Sequence, residues 1–232
     1  MIVIITGGSR GIGKATAIKF ASAGHRVILC SRNMDSLLHA KKEIDNQFPN
    51  AQVDLFAADL SQKAAVQKFA AFCLEIGTPD ILINNAGIYT PGNCMDEPDE
   101  AMEKLMDINF YSAYHLTRAL LPSMMSKKTG HIFNMCSIAS LKAYEGGGGY
   151  SVSKFALNGF TQNLRHELKT YGIKVTAVFL GAVLTDTWGG FDNSNNRIME
   201  TSDIVEMMFT SAHLSIQAVV EEIVIRPQLG DL

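Results

Sequence analysis

The chain of 232 residues is poor in cysteine, in long apolar runs and in clustered charge, and each shortage excludes a class of protein. Its four cysteines, Cys30, Cys73, Cys94 and Cys136, have no C-x-x-C spacing, and three lie in apolar segments. Reduced core thiols are expected rather than a disulfide framework. No stretch reaches the ~18 uninterrupted apolar residues of a membrane span, and the apolar start at Ile2 lacks the basic flank of a signal peptide. A cytoplasmic location away from the membrane is expected. Twenty Lys and Arg oppose twenty-three Asp and Glu for a net charge of −3, and the longest basic runs are the pairs Lys41-Lys42 and Lys127-Lys128. That distribution argues against a nucleic-acid partner. The six histidines are dispersed, and His166-Glu167 lacks a second histidine four positions on, so no metal site is expected. Internal repeats, heptads and long linkers are absent as well.

What is present is ordinary globular material, 47% hydrophobic and 19% charged, enough to bury a substantial core. Length favours one larger domain over residues 1–232. Short Val- and Ile-rich runs at 2–5, 26–30, 52–57, 81–84, 131–136, 174–179 and 222–226 read as strands. Between them, helical patterns cover 13–23, 34–48, 63–75, 99–125, 150–170 and 202–211. Continuous apolar strands alternating with helices predict an α/β fold, a doubly wound Rossmann-type parallel sheet of about seven strands with helices on both faces. The irregular stretches 90–98, 145–149 and 185–200 fall beyond strand ends, where such sheets bind ligands. A substrate loop is expected at about 181–213.

Directly after the first strand comes Thr6-Gly7-Gly8-Ser9-Arg10-Gly11-Ile12-Gly13, running into a helix. Glycines permit a tight turn and close backbone approach to a pyrophosphate, and the helix start adds free N–H groups and a positive dipole. A dinucleotide cradle formed by Gly7, Ser9, Arg10, Gly11, Ile12 and Gly13 follows. At the end of the second strand a carboxylate would select a ribose 2′-hydroxyl, but the sequence there is Cys30-Ser31-Arg32-Asn33. Ser31, Arg32 and Arg10 suit a 2′-phosphate, so NADP(H) is expected in preference to NAD(H).

Tyr150 and Lys154, at i and i+4, share one helical face, and Ser137 closes an apolar strand thirteen residues before Tyr150. A cation near a phenol lets it exchange a proton closer to neutrality than its usual value of about 10. With the glycine loop, Asp59-Leu60, Asn84-Asn85-Ala86-Gly87 and Asn109, these residues give the chain a resemblance to the short-chain dehydrogenase/reductase family over essentially its whole length.

That resemblance implies an NADPH-dependent carbonyl reductase. Tyr150 would be the general acid that protonates the carbonyl oxygen as hydride arrives from the nicotinamide. Lys154 would depress the tyrosine pKa and bind the nicotinamide ribose, Ser137 would stabilise the developing oxyanion, and Asn109 would hold a water linking Lys154 to solvent. Asp59 and Leu60 would meet the adenine, and Asn85, Ala86 and Gly87 the adenosine ribose. After the sixth strand the family has Pro-Gly and then a threonine. Here Leu180 replaces the proline while Gly181 and Thr185 remain, so a looser turn is expected. Residues 181–189 and the tail from Val219 resemble bacterial sepiapterin reductases within the family. Trp188, the only tryptophan, would stack on a flat ring and Asp231 would bind the amino-pyrimidine edge of a pterin. A 3-oxoacyl thioester (acyl carrier protein) reductase shares the same catalytic residues, and a non-catalytic dinucleotide sensor would share the fold. The family also implies a homodimer or homotetramer built on the helices around 99–125 and 150–170.

Overall fold

In the computed structural model, which describes residues 1–231, strands and helices alternate from the first residue. The strands are β1 (Ile2–Thr6), β2 (Arg26–Ser31), β3 (Val53–Ala57), β4 (Ile81–Asn84), β5 (Gly130–Ser137), β6 (Ile173–Leu180) and β7 (Glu222–Ile225). The helices are α1 (Gly11–Ser22), α2 (Met34–Gln47), α3 (Lys63–Ile76), α4 (Ala101–Met106), α5 (Ser112–Lys127), α6 (Gly148–Leu168) and α7 (Thr201–Ala212). All seven strands pair in parallel in the order β3-β2-β1-β4-β5-β6-β7. This is the doubly wound sheet that the strand pattern predicts.

Alternation along each strand assigns its side chains to opposite layers. Val3, Ile5 and Leu29 point toward Phe20 of α1, Leu37 of α2 and Met208 of α7. Ile4, Ile28 and Leu82 point the other way, toward Phe69 of α3, Leu116 of α5 and Leu164 of α6. Both faces are therefore dry, which is why the strands read as unbroken apolar runs. Cys30, Cys73 and Cys136 are buried, Cys94 is exposed, and all four are free thiols. No helix of the described residues is long and apolar enough to cross a membrane.

Two departures from the sequence pattern lie near one end of the sheet. The helix expected at 99–125 is divided: Asp107–Tyr111 forms a π-helical turn between α4 and α5, and Asn109 sits inside it. Helix α6 begins two residues earlier than expected, at Gly148, so that Gly148 and Gly149 are helical despite glycine's low propensity. The Glu97 side chain, reaching from the loop between β4 and α4, supports that start by accepting a hydrogen bond from the Gly149 N–H at 3.0 Å.

Candidate active site

The sheet order reverses between β1 and β4, and in such sheets the crevice beyond the carboxyl ends at that point takes the ligand. A cleft of about 920 Å³ opens there. Every residue singled out from the sequence as a site residue lines it, apart from Gly13 and Asn109. A second cavity of about 700 Å³, bordered by Met1, Gln47 and Asp80, contains none of them.

At one end of the cleft, glycine is structurally required. A Cβ on Gly13 would lie 2.2 Å from the Gly7 carbonyl oxygen, and one on Gly7, whose φ is +65°, would lie 2.8 Å from Asn85 Nδ2. The turn is fastened by residues from two strands. Asn85 Nδ2 donates to the carbonyls of Thr6 (2.9 Å) and Gly7 (3.2 Å). The Thr6 hydroxyl oxygen accepts the N–H groups of Asn85 and Ala86, each at 2.9 Å. Asn85 thus shapes the cradle through its side chain, and Thr6 is a partner that local sequence patterns do not reveal.

Ser31, Arg10 and Arg32 border the same end, with both arginines exposed. Among the described residues neither guanidinium is engaged in an ion pair, whereas nearby Lys14 is neutralised by Glu43 at 2.9 Å. Unpaired donors, a backbone cradle and the start of α1 fit the phosphates of a dinucleotide, including a 2′-phosphate. Asp59, beside Leu60 in the cleft wall, accepts the Ser61 N–H at 3.1 Å.

Halfway along the cleft, Ser137, Tyr150 and Lys154 meet. Helix α6 is fixed to the end of β5 by two long-range bonds: Lys154 Nζ donates to the Met135 carbonyl at 2.7 Å, and Ser151 Oγ donates to the Ala139 carbonyl at 2.8 Å. Ser137, at the end of β5, accepts the Ala139 N–H at 3.1 Å and donates to the Leu180 carbonyl at 3.4 Å. Burial pushes the Tyr150 phenol above its ordinary value, and the Ser137 hydroxyl beside it pulls the other way. This differs from the expectation that Lys154 holds the phenol down. Lys154 Nζ lies 5.8 Å from the ring centroid and is itself lowered to about 8 by burial.

Asn109 is buried behind this group. Its Oδ1 accepts the Ile88 N–H at 2.8 Å, and its Nδ2 donates to the Ile88 carbonyl (3.1 Å) and to Ser153 Oγ (2.9 Å). Among the described residues it makes no direct hydrogen bond to Lys154. The π-turn aims this carboxamide inward, and such turns recur where a helix must present a functional side chain.

Tyr89, Tyr144, Trp188 and Asp231 also line the cleft. Tyr89 meets the Tyr150 ring edge to face at 4.9 Å, and Trp188 packs against Phe191 at 5.4 Å. The turn after β6 is not loose. Leu180 pairs with Ile225 of β7, the Gly181 N–H donates to the Ile225 carbonyl at 2.9 Å, and a Cβ on Gly181 would stand 2.8 Å from Pro227. Strand pairing does here what a fixed proline φ does elsewhere. Thr185 reaches across to the glycine loop, its Cγ2 lying 3.4 Å from where a Gly11 Cβ would be. The Asp231 carboxylate is bonded to the Arg226 guanidinium, so its charge enters the cleft as half of an ion pair. Among the described residues no group of three or more His, Cys, Asp or Glu is placed to share a metal ion.

Residues 1–196 match the family model described as short chain dehydrogenase. A sepiapterin reductase of Chlorobaculum tepidum is 32% identical over 240 residues, spanning 100% of this chain and 98% of its own length. The crystal structure of a metagenomic short-chain oxidoreductase in complex with NADP superposes with a TM-score of 0.86 at 30% identity, covering 98% of this chain and 97% of that one. The closed form of serine dehydrogenase complexed with NADP+ gives a TM-score of 0.89 at 26% identity, covering 100% and 97%.

Proposed function

Because the chain belongs to the short-chain dehydrogenase family, as an oxidoreductase, we propose that it reduces a ketone to a secondary alcohol at the expense of NADPH. The observation that carries this reading is the presence of Ser137, Tyr150 and Lys154 in one cleft with a glycine cradle and two unpaired arginines. The cofactor, when bound, supplies hydride. The chain's own residues do the rest.

The glycine loop from Gly7 to Gly13 and the start of α1 would hold the pyrophosphate, Arg10 and Arg32 would hold the 2′-phosphate, and Asp59, Leu60, Asn85, Ala86 and Gly87 would line the adenosine half. Lys154, fixed by the Met135 carbonyl, presents its ammonium to the nicotinamide ribose. Ser137 Oγ and the Tyr150 hydroxyl bind the substrate carbonyl oxygen. Negative charge developing on that oxygen is met first by these two donors and then by the Tyr150 proton. Burial raises the Tyr150 phenol and the Ser137 hydroxyl opposes that shift, so the two groups are coupled at the point where the proton would be exchanged. Asn109 fixes the Ile88 backbone and Ser153 behind the pair.

The substrate we propose is a flat ring carrying a side-chain ketone, of the sepiapterin type. Trp188 and the exposed rings of Tyr89 and Tyr144 offer stacking surface, and the Asp231 carboxylate offers acceptors to ring N–H groups. We also propose that copies of the chain pair through the outer face formed by α6 and the π-turn that leads into α5, where Tyr111, Val152 and Phe155 are exposed.

The test is loss of reduced-nicotinamide absorbance on adding sepiapterin or an acetoacetyl thioester, with NADH as the control. Rapid NADPH oxidation with sepiapterin supports the reading. Turnover of the thioester alone replaces it with acyl-chain chemistry, and binding of NADPH without turnover of any ketone would favour a dinucleotide sensor.

A further inference from the structure

The loop carrying Trp188 closes on itself before it reaches α7. Val183 bridges to Met199, the Leu184 N–H donates to the Met199 carbonyl at 2.7 Å, and the Met199 N–H donates to the Ala182 carbonyl at 3.1 Å. Just inside that closure, Asn193 and Ile198 exchange side-chain-to-backbone bonds of 3.1 and 3.0 Å. Arg197 is thus mounted on a braced base. Its guanidinium is spent on the far end of the chain: Nη1 donates to the Gly230 carbonyl at 2.9 Å and Nη2 to the Asp231 carbonyl at 3.0 Å.

The grip falls on a segment already bent toward the cleft. The Gly230 N–H donates to the Pro227 carbonyl at 2.9 Å, and Gly230 has a φ of +86°, a left-handed conformation that favours glycine. Asp231 ends over Gly181, where a Cβ would lie 3.0 Å from its Oδ1. Arg226 holds the carboxylate while Arg197 holds the backbone. Here a planar two-donor fork, a geometry that lysine does not reproduce, spans two successive carbonyls.

We propose that Arg197 is a positioning residue for substrate binding: by clasping Gly230 and Asp231 it makes the C-terminal tail a fixed wall of the substrate end, coupled to the loop that carries Trp188. The proposal rests on the carbonyl-reductase reading only for its kinetic consequence. Arg197 lies outside the glycine cradle and the Ser137, Tyr150 and Lys154 group, so its loss should leave NADPH binding and the chemical step alone.

The experiment compares Arg197→Ala, Arg197→Lys, a chain ending at Pro227, and that shortened chain carrying Arg197→Ala. Amide hydrogen exchange of the full-length proteins, read on a peptide containing residues 228–231, needs no substrate. The account predicts faster exchange in both Arg197 variants, with NADPH affinity as in the parent protein. With sepiapterin, Arg197→Ala and the shortened chain should each raise KM about tenfold with kcat within about twofold, and combining them should add nothing further. Unchanged exchange in Arg197→Ala would overturn the clasp, whatever the substrate proves to be. Faster exchange with additive KM effects would show that Arg197 acts elsewhere and would overturn its positioning role. Faster exchange without turnover of sepiapterin by the parent protein would keep the clasp and refute the choice of ketone.

Discussion

Lys154 Nζ donates to the carbonyl oxygen of Met135 at 2.7 Å, which ties helix α6 to the carboxyl-terminal part of β5. It also leaves a buried ammonium with little other compensation, and burial lowers its pKa to about 8. The charged form is lost as pH rises through that value. In the free enzyme, kcat/KM for NADPH-dependent reduction should be level below about pH 8 and fall about tenfold per unit above it. A profile level to pH 10 would remove the lysine charge from the account.

The proposed preference for NADPH rests on Arg10 and Arg32, two guanidiniums in the cleft that no carboxylate of the described residues neutralises. Arg32→Asp should weaken NADPH by about tenfold or more, as expected for losing a charge-assisted hydrogen bond of roughly 1.5–3 kcal/mol, and should leave NADH little changed. Fluorescence titration with both nucleotides measures this. Equal weakening of the two would show that Arg32 does not read the 2′-phosphate.

Thr6 accepts two backbone N–H groups that have few alternatives, those of Asn85 and Ala86. Thr6→Val keeps the shape and removes the acceptor. Each stranded donor costs about 1–3 kcal/mol, so a fall in Tm of about 4 °C or more should accompany weaker dinucleotide binding. An unshifted Tm would mean that water or a shifted backbone takes the place of the hydroxyl.

His131 is a buried base in β5, with Nε2 2.7 Å from Thr176 Oγ1 and its ring stacked on Phe133. Burial, aided by Lys174, lowers its pKa to about 3, whereas the unfolded chain has the ordinary value near 6.5. Between those values only the unfolded state takes the proton. The stability this residue contributes is full above pH 6.5 and declines as pH falls toward 3. Urea unfolding should lose about 1.4 kcal/mol per pH unit more in the parent protein than in His131→Gln between pH 6 and 4. Parallel slopes would contradict the assignment.

Local patterns read well where a short stretch of chain determines the outcome. Val3, Ile4 and Ile5 are all apolar because both faces of β1 are covered, and Gly7 and Gly13 stand where any side chain would collide with the loop itself. Features built from distant residues were not legible. Thr6 acts on residues 79 and 80 positions away, Arg197 on the tail, and Glu97 on the start of α6. The π-turn at Asp107–Tyr111 divides what reads in the sequence as one helix, because its residues remain helical and no glycine or proline marks the place. A shared helical face fixes neither distance nor burial: Lys154 Nζ lies 5.8 Å from the Tyr150 ring centroid, and burial moves the phenol upward.

The central claim is that the Tyr150 proton is transferred to the substrate oxygen. Its most direct test is single-turnover oxidation of bound NADPH by Tyr150→Phe with the best ketone found, alongside NADPH titration of the same protein. We predict a rate reduced by about 10²–10⁴, the usual contribution of a general acid, with nucleotide affinity preserved. A Tyr150→Phe enzyme that turns over at the parent rate would contradict the mechanism.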